Sequence, residues 1–328
     1  MFIILYHKNP DQLIRLVNRL SGDGVYIVVH VCLNEREENF NFLQQSLEGK
    51  VHFSKRFRGE WGGFSLVDAT LAAMEMGKQF DYQYCYLLSG QDYPLISLSD
   101  MKADLDPRAK KQYINYWMQS SLISQSRYFN VIKQKWQESV DRQNHRFNQY
   151  KIKLFNRYFF FPGLKNPRPV SLKDRGLNLG KSFLGKLMPK RKFMNGILPA
   201  VGSQWFTISK ACVDYCLDVA RLRSDLKDYF KNSEVPDEMF FQTIILNSPF
   251  SEDITQDNLR AIFFQEGVYV RHPDLLSDKD FSKLSSAKAH FARKFDLSIN
   301  KRIFDLLDQF QSKGIKHGDN KESEEQIK

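Results

Sequence analysis

A single carboxylate, Asp92, follows a short apolar run. Residues 84–89 read Tyr-Cys-Tyr-Leu-Leu-Ser, the composition of a strand buried on both faces, and they lead directly into Gly90, Gln91 and Asp92. A carboxylate at the end of a buried strand can hold a cation or accept hydrogen bonds from a ligand, but one carboxylate alone is a poor Mg²⁺ or Mn²⁺ site. We therefore expect Asp92 to orient ligand hydroxyls or a neighbouring cation. A turn cap is the structural alternative.

Two Asp-x-Asp triplets, at 104–106 and 278–280, offer the paired carboxylates that a divalent ion needs. The first ends a predicted helix before Pro107. The second opens a predicted helix after Ser277, where carboxylates suit the positive end of the helix dipole. Because neither triplet follows a buried strand, the sequence assigns no metal ligands.

Composition places the chain among globular proteins. It has 328 residues, of which 42% are hydrophobic and 14% aromatic, enough for a large core. We find no membrane-length apolar stretch and no signal-type N-terminus, so we expect a cytoplasmic protein, with peripheral contact at the inner face of the cell membrane left open. The four cysteines show no CxxC or framework spacing, which favours free buried thiols.

The net charge of +10 comes from one segment. Residues 151–195 contain twelve Lys or Arg and one acid, Asp174, together with aromatic and turn-forming residues. This segment is either a solvated basic loop or a surface for an anionic partner such as lipid head groups, nucleic acid or an acidic glycan. No recognised nucleic-acid module accompanies it, which argues against a nucleic-acid partner.

The order of predicted elements is βαβα. The predicted strands are 2–6, 25–31, 51–53, 84–89 and 113–117, and the predicted helices are 10–20, 35–47, 65–77 and 99–105, with a long amphipathic helix within 124–153. This order predicts an α/β fold whose mostly parallel sheet carries helices on both faces and binds ligands beyond the carboxyl ends of its strands. Residues 1–312 are predicted to form one domain with a basic insertion at 130–200, and residues 313–328 a disordered tail.

Five blocks in a fixed order resemble a known family. They are RGEWGGFSLVDATLAAM (58–74), LLSGQDYPL (87–95), GSQWFTIS (202–209), VPDEMFFQTIILNS (235–248), and VYVRHPDLL with HFARKFD (268–276, 290–296). The set resembles the core-2/I-branching N-acetylglucosaminyltransferases and peptide O-xylosyltransferases, glycosyltransferase family 14. The resemblance implies a GT-A fold with a Rossmann-like nucleotide-sugar domain, and inverting transfer from a UDP-sugar without a divalent metal or other cofactor.

The resemblance also implies roles for charged residues. Glu238 matches the family's general base, and Arg271 and Lys294 match two basic side chains that neutralise the leaving diphosphate in place of a metal ion. Arg293 is an alternative to Lys294, because the sequence does not show which of the two neighbours enters the site. Ordinary surface cations are the structural alternative for these positions.

The remaining site residues flank the donor or the acceptor. His30, Trp61, Gly62, Gly63 and Asp92 are expected on the donor side, where glycines allow close approach of the backbone to a ligand. Gln204, Trp205 and Asp237 are expected on the acceptor side. Each of four residues also has a structural alternative. His30 and Trp205 could instead pack in the core, and Trp61 could have a purely structural role. Asp237 could instead interact with the helix dipole.

One position departs from the family pattern. Many relatives have Asp where this chain has Cys32, and that Asp helps to hold the base of the nucleotide. Since a thiol is a poor hydrogen-bond acceptor, uridine recognition must weaken or move.

The sequence thus predicts a glycosyltransferase that moves N-acetylglucosamine or xylose to a hydroxyl of a glycan or lipid-linked glycan, as in bacterial capsule or surface-polysaccharide synthesis. The alternative is a relative that binds glycan or nucleotide without turnover.

Overall fold

A computed structural model describes residues 1–60, 62–118, 150–154, 157–161, 193–233, 235–264 and 273–312. The first part of the chain forms β1 (Phe2–Tyr6), α1 (Pro10–Leu20), β2 (Ile27–Val31), α2 (Glu37–Ser46), β3 (His52–Phe53), α3 (Ser65–Gly77), β4 (Tyr84–Ser89), β5 (Tyr93–Pro94) and α4 (Leu98–Asp104). The second part forms β6 (Tyr116–Met118), β7 (Tyr150–Leu154), β8 (Arg157–Phe161), β9 (Ala200–Gly202), β10 (Thr207–Ser209), α5 (Lys210–Leu222), α6 (Ser224–Lys231), α7 (Phe240–Leu246), β11 (Arg260–Ile262), α8 (Phe281–Ser285), β12 (Phe291–Arg293) and α9 (Lys301–Ser312).

The central sheet has the strand order β10-β4-β1-β2-β3. β1 pairs in parallel with both β2 and β4, and β3 extends the parallel part beside β2. Among the strands described in this sheet, only the edge strand β10 runs antiparallel. The predicted α/β fold with a mostly parallel sheet is confirmed.

The local sequence explains the first βα unit. Every residue of β1 is buried, as its unbroken apolar run predicts. Asn9 is the N-cap of α1, since its side chain accepts a hydrogen bond from the Gln12 N–H. Pro10 takes the first position of the helix, where its missing N–H costs nothing. The helix buries Leu13, Leu16, Val17 and Leu20 at helical spacing.

Helices cover both faces of the sheet. One core cluster joins the sheet to α3, α5 and α7, and the other joins it to α1 and α9. Each large apolar side chain that is fully buried in these clusters stabilises the fold by about 1.5–3 kcal/mol. All four cysteines are free and buried, as predicted.

A second, three-stranded sheet brings distant residues to the end of β4. Its order is β11-β12-β5, and β12 runs antiparallel to β5, pairing Ala292 with Tyr93. Since β5 begins directly after Asp92, this pairing carries the end of β12 to the same place.

One expectation needs correction, and several others lie outside the described residues. The range predicted to contain a long helix, 124–153, is too long at its end, because residues 150–153 belong to β7, paired antiparallel with β8. These residues alternate polar and apolar side chains, the period of a strand. Most of the basic 130–200 insertion, the 313–328 tail, Trp61 and Arg271 lie outside the described residues. Across the described ranges, none of the helices combines the length and apolarity needed to cross a membrane.

Candidate active site

The site forms where β1, β2 and β4 end at one edge of the sheet. The pairing of Leu5 with both His30 and Ser89 aligns these three strands, so His7, His30 and the 89–92 turn meet at their carboxyl ends. Gln12 fixes the 295 segment there, because its amide donates to the carbonyl oxygens of Gly90 (2.9 Å) and Phe295 (3.3 Å). Crevices at this edge are the usual ligand sites of parallel α/β sheets.

Asp92 is wholly buried, with 0% of its surface exposed. Its Oδ2 accepts a hydrogen bond from the Ser89 N–H at 3.0 Å, and its Oδ1 lies 3.5 Å from Nε of Arg293. Burial raises the pKa of Asp92, and the charges of Arg293 and Arg260 oppose that shift. The hydrogen bond to Ser89 is the turn cap expected as the structural alternative, and the contact with Arg293 pairs Asp92 with a neighbouring cation; the carboxylate itself has no exposed surface.

Arg293 is the cation that Asp92 orients. Its guanidinium lies over the ring of Trp205, with Cζ 4.2 Å from the ring centroid, and its side chain is 10% exposed. Burial lowers the pKa of Arg293, while the charges of Asp92 and Glu238 act in the opposite direction. The structure thus brings both Asp92 and Trp205 into contact with Arg293, and the charge of Glu238 also acts on Arg293.

Arg260 is a second buried arginine at this point, and sequence reasoning missed it. It donates to the carbonyl oxygens of Asn258 (2.6 Å) and Leu87 (3.2 Å) and to Oγ1 of Thr207 (3.3 Å). Burial lowers its pKa to about 10, and the charge of Asp92 opposes that shift. An arginine followed by the apolar run Ala-Ile-Phe-Phe was the signal in the sequence, since a charge that enters a core requires partners.

Lys294 faces a different neighbourhood from Arg293. The side chain of Lys294 is partly exposed. Its pKa is lowered, mainly by its partial burial and to a smaller extent by the charges of Arg293 and Lys8. Lys8 in turn pairs with Asp296 at 2.6 Å. Burial and the charges of Lys294, Lys8 and Arg293 lower the pKa of His7. A cluster of basic residues, Lys294, Lys8 and Arg293, therefore lies beyond β1, with Asp296 as the counterion of Lys8, and such a cluster favours a bound anion.

His30 and Cys32 are engaged within the protein. Nε2 of His30 accepts a hydrogen bond from the Phe57 N–H at 3.0 Å, and burial and the charge of Arg56 lower its pKa to about 4. His30 therefore packs at the strand end, the structural alternative to donor contact. The thiol sulfur of Cys32 accepts from the N–H groups of Gly59 (3.1 Å) and Asn34 (3.4 Å).

The loop that contains Gly62 and Gly63 is hydrogen-bonded to the segment that carries Glu238. Gly62 has a φ of 71°, a conformation that favours glycine, and its carbonyl accepts from the Val235 N–H at 3.2 Å. The Gly63 N–H donates to the Glu60 carbonyl at 2.9 Å. The hydroxyl of Ser65, the first residue of α3, accepts from the Glu60 N–H at 3.1 Å, and α3 has no side-chain cap.

Asp237 and Glu238 lie on a separate 3-10 turn, Pro236–Glu238, rather than in the first turn of α7, which begins at Phe240. Asp237 is buried and Glu238 is partly exposed. Val235 precedes this turn with a φ of 51° and a ψ of 56°, in the left-handed region. A β-branched residue there costs about 1–3 kcal/mol, the kind of strain found at functional sites.

Gln204 and Trp205 lie in the connection between β9 and β10, and both are partly exposed. The Trp205 N–H donates to Oγ of Ser203 at 3.3 Å. Gln242 of α7 donates to the Ser203 carbonyl at 2.6 Å, so this hydrogen bond holds the connection against α7. Trp205 packs against the core, the structural alternative expected for it, and its ring also lies beside the guanidinium of Arg293.

The carboxylates of both Asp-x-Asp triplets take part in structural contacts. Asp104 lies 3.2 Å from Nε2 of His290, and Asp106 accepts from the Arg108 N–H at the start of a 3-10 turn. In the second triplet, Asp278 accepts from Asn300 at 2.7 Å and Asp280 forms a capping box with Ser277. Within the described ranges, no three His, Cys, Asp or Glu side chains are grouped closely enough to hold a metal ion.

Comparison with known proteins assigns this chain to a family. The family model of the core-2/I-branching enzymes matches residues 1–156 and 181–285, and the chain belongs to that family. The resemblance seen in the sequence motifs is thereby confirmed.

Relatives and solved structures give further comparisons. Xylosyltransferase 2 of Rattus norvegicus is 22% identical and that of Canis lupus familiaris 28%, each over 93% of this chain. Xylosyltransferase 1 of Rattus norvegicus is 26% identical over 94% of the chain. The chain spans about a third of the length of these relatives (33–35%). Among solved structures, a putative glucose-1-phosphate thymidylyltransferase from Bacillus anthracis aligns over 70% of this chain and 80% of its own, with 11% identity and a TM-score of 0.27.

Proposed function

We propose that the chain is an inverting glycosyltransferase that moves xylose or N-acetylglucosamine from a UDP-sugar to a hydroxyl of a glycan. Membership of the core-2/I-branching family supports the reaction class. The observation that carries the proposal is the position of Glu238, on a strained turn tied to the Gly62 loop and within electrostatic range of Arg293.

Glu238 acts as the general base in this proposal. An acceptor hydroxyl attacks the anomeric carbon from the face opposite the diphosphate, and its proton passes to the Glu238 carboxylate. A carboxylate suffices, because the hydroxyl becomes acidic only as the new bond forms, so that proton removal can be late. Positioning of the two substrates then supplies much of the rate.

Lys294 and Arg271 neutralise the leaving diphosphate in this proposal. The cluster of basic residues beyond β1, Lys294, Lys8 and Arg293, supports an anion site at this edge. Fixed positive charges that face a developing negative charge lower the barrier without reorganisation. The structural engagement of both Asp-x-Asp triplets supports a reaction without a metal on those residues.

The acceptor in this proposal is a glycan of a bacterial surface polysaccharide, bound near Gln204, Trp205 and Asp237. The basic 151–195 segment then contacts anionic lipid or a lipid diphosphate, at about 1 kcal/mol per cation near the surface. Cosedimentation with liposomes tests this contact, and binding that is insensitive to anionic lipid and to salt contradicts it.

A donor screen tests the proposed function. Purified protein is incubated with a panel of nucleotide sugars, with and without an acceptor library, and mass spectrometry detects the released nucleotide and the glycosylated product. We expect release of UDP from UDP-xylose or UDP-N-acetylglucosamine. Tight UDP binding without turnover of any donor contradicts the proposal and supports a nucleotide-binding relative.

A further inference from the structure

The strand β5, which begins directly after Asp92, is only two residues long. Its second residue, Pro94, has no backbone N–H and therefore cannot donate to a neighbouring strand. Just beyond β5, the Leu95 N–H donates to the His290 carbonyl at 2.8 Å, which ties this segment to the start of β12. A strand this short gains from support outside its own sheet.

The helix α9 supplies such support through two hydrogen bonds to β5. The Tyr93 hydroxyl donates to Oδ1 of Asp308 at 2.8 Å, across 215 positions of the chain. Three residues further along α9, the amide of Gln311 donates to the Pro94 carbonyl at 2.8 Å. Both residues of β5 are therefore held by α9.

The helix α1 fixes the carboxylate of Asp308. Its Oδ2 accepts from Arg15, with Nη2 at 2.6 Å and Nε at 3.2 Å, and its Oδ1 lies 3.1 Å from Nε of Arg19. Nε of Arg15 also lies 3.2 Å from the Tyr93 hydroxyl. Because the Asp308 side chain is only 26% exposed, solvent screens these ion pairs in part. The acceptor of the Tyr93 hydrogen bond thus has a defined position.

Tyr93 carries this contact through the core. The residue is wholly buried, and its ring meets the rings of Phe295 and Phe304 edge-on, at centroid distances of 6.0 Å and 4.7 Å. A phenylalanine would fill the same space without a polar group to satisfy, and a satisfied hydrogen bond adds only modestly to stability. The hydroxyl instead specifies one orientation of the ring and hence one position of β5.

β5 is connected to the candidate active site on both sides. It follows Asp92, the carboxylate that contacts Arg293. Its pairing partner β12 leads directly into Lys294, and beyond it the Phe295 N–H donates to the Gln91 carbonyl at 2.9 Å. A displacement of β5 would therefore move groups on both sides of the site, and a misplacement of about 1 Å can cost about 100-fold in rate.

We propose that Asp308 and Tyr93 are positioning residues for the transfer reaction. Asp308, fixed by α1, holds the Tyr93 hydroxyl and thereby the position of β5. The inference rests on the proposed function for its catalytic readout, whereas the hydrogen bonds that carry it are independent of that function. It gives α1 and α9, which cover one face of the sheet, a part in aligning the site.

Tyr93→Phe tests the hydroxyl alone. We expect kcat for sugar transfer, per folded molecule, to fall about tenfold, because the site is less precisely aligned. Urea unfolding gives the folded fraction, and a merely structural role would leave kcat per folded molecule unchanged. Asp308→Ala is expected to have a similar effect, and the Tyr93→Phe/Asp308→Ala double variant is expected to be no slower than Asp308→Ala alone.

Two variants of α9 serve as controls. Asp308→Asn keeps an oxygen that can accept from Tyr93, so it is expected to stay within about threefold of the wild type. Asp305 pairs with the same Arg15 at 2.7 Å, and its side chain is 47% exposed. Asp305→Ala is therefore expected to keep full activity.

Hydrogen exchange gives a readout that needs no turnover. The amides of Leu95 and Phe295 report on the connections of β5 and the 89–92 turn to the β12 segment. We expect both amides to exchange about tenfold faster in Tyr93→Phe, the scale of one lost hydrogen bond, and at the wild-type rate in Asp305→Ala.

The remaining outcomes contradict the inference in distinct ways. Unchanged exchange in Tyr93→Phe shows that its hydroxyl does not position β5. Faster exchange with unchanged kcat per folded molecule makes the contact structural only. Equal losses in Asp305→Ala and Asp308→Ala assign the effect to the charge of α9. Wild-type protein that transfers no sugar contradicts the proposed function itself, and the exchange rates then decide whether Asp308 and Tyr93 hold β5.

Discussion

The hydroxyl of Tyr86 and Nδ1 of His290 lie 2.7 Å apart in the protein interior. On the other side of the ring, Nε2 of His290 lies 3.2 Å from Asp104. The two contacts together fit the neutral tautomer, in which Nε2–H donates to Asp104 and Nδ1 accepts from the Tyr86 hydroxyl. Burial and the charge of Arg260 lower the pKa of His290 to about 4. The folded protein therefore holds this histidine neutral.

We predict that stability falls as the pH drops from about 6.5 to about 4. In the unfolded chain His290 and His30 titrate near 6.5, whereas their folded pKa values are both about 4. Below 6.5 the unfolded chain binds more protons, so the free energy of unfolding is greatest above that pH and decreases by about 1.4 kcal/mol per pH unit for each histidine. Urea denaturation between pH 7.5 and pH 5 measures the slope.

Single variants separate the two contributions. His290→Asn and His30→Asn each lower the slope by about 1.4 kcal/mol per pH unit, and His7, whose pKa is also lowered, accounts for part of the remainder, while the control His52→Asn, at an exposed histidine of β3, leaves the slope in place. A slope that neither buried-site variant changes contradicts the prediction.

Gly202→Ala is predicted to destabilise the fold by about 2–4 kcal/mol, the range of severe single substitutions. A Cβ at Gly202 would overlap the backbone oxygen of Asn115, because β9 pairs closely with β6 here. Thermal and urea unfolding measure the effect. Gly22→Ala is the control, since its Cβ would meet only the flexible end of Leu98 and its cost is predicted to stay below about 1 kcal/mol. Equal stabilities of the two variants contradict this account.

Lys294→Ala is predicted to weaken UDP binding by about 10- to 100-fold, the scale of a lost charge-assisted hydrogen bond. The affinity of the wild type is also expected to fall with rising salt, since the cluster is partly exposed. Titration of UDP at two ionic strengths measures both effects. Lys301→Ala, at an exposed lysine of α9, is the matched control. Unchanged affinity in Lys294→Ala removes this residue from the diphosphate site.

The local elements of the fold could be predicted from the sequence. The bounds predicted for β1, α1, α3 and β4 agree with the structure, because apolar runs and the Asn9 cap specify them within a few residues. The match of GSQW and VPDE to the family singled out Trp205 and Glu238, and in the structure the Trp205 ring contacts Arg293 and the charge of Glu238 acts on it.

The contacts within the site could not be predicted in the same way. The ion pair of Asp92 with Arg293 depends on the pairing of β5 with β12, about 200 residues apart, and no local pattern encodes that register. For the same reason the sequence left open whether Arg293 or Lys294 enters the site. The burial of Arg260 depends on three backbone carbonyls from separate segments.

Chelation of divalent ions is predicted to leave turnover unchanged, because the proposal assigns charge neutralisation to Lys294 and Arg271. UDP release is measured in EDTA and after addition of Mn²⁺. Loss of activity that Mn²⁺ restores contradicts the prediction and would require carboxylates, such as those of the Asp-x-Asp triplets, to leave their present hydrogen bonds.

The most direct test of the central claim is the turnover of Glu238→Gln. We predict a loss of about 100-fold or more in the rate of sugar transfer, the usual scale for removing an acid–base group, with UDP affinity retained within about twofold. Glu252→Gln, at an exposed glutamate, is the matched control and is predicted to keep full activity. Turnover of Glu238→Gln equal to that of the wild type contradicts the assignment of Glu238 as the base.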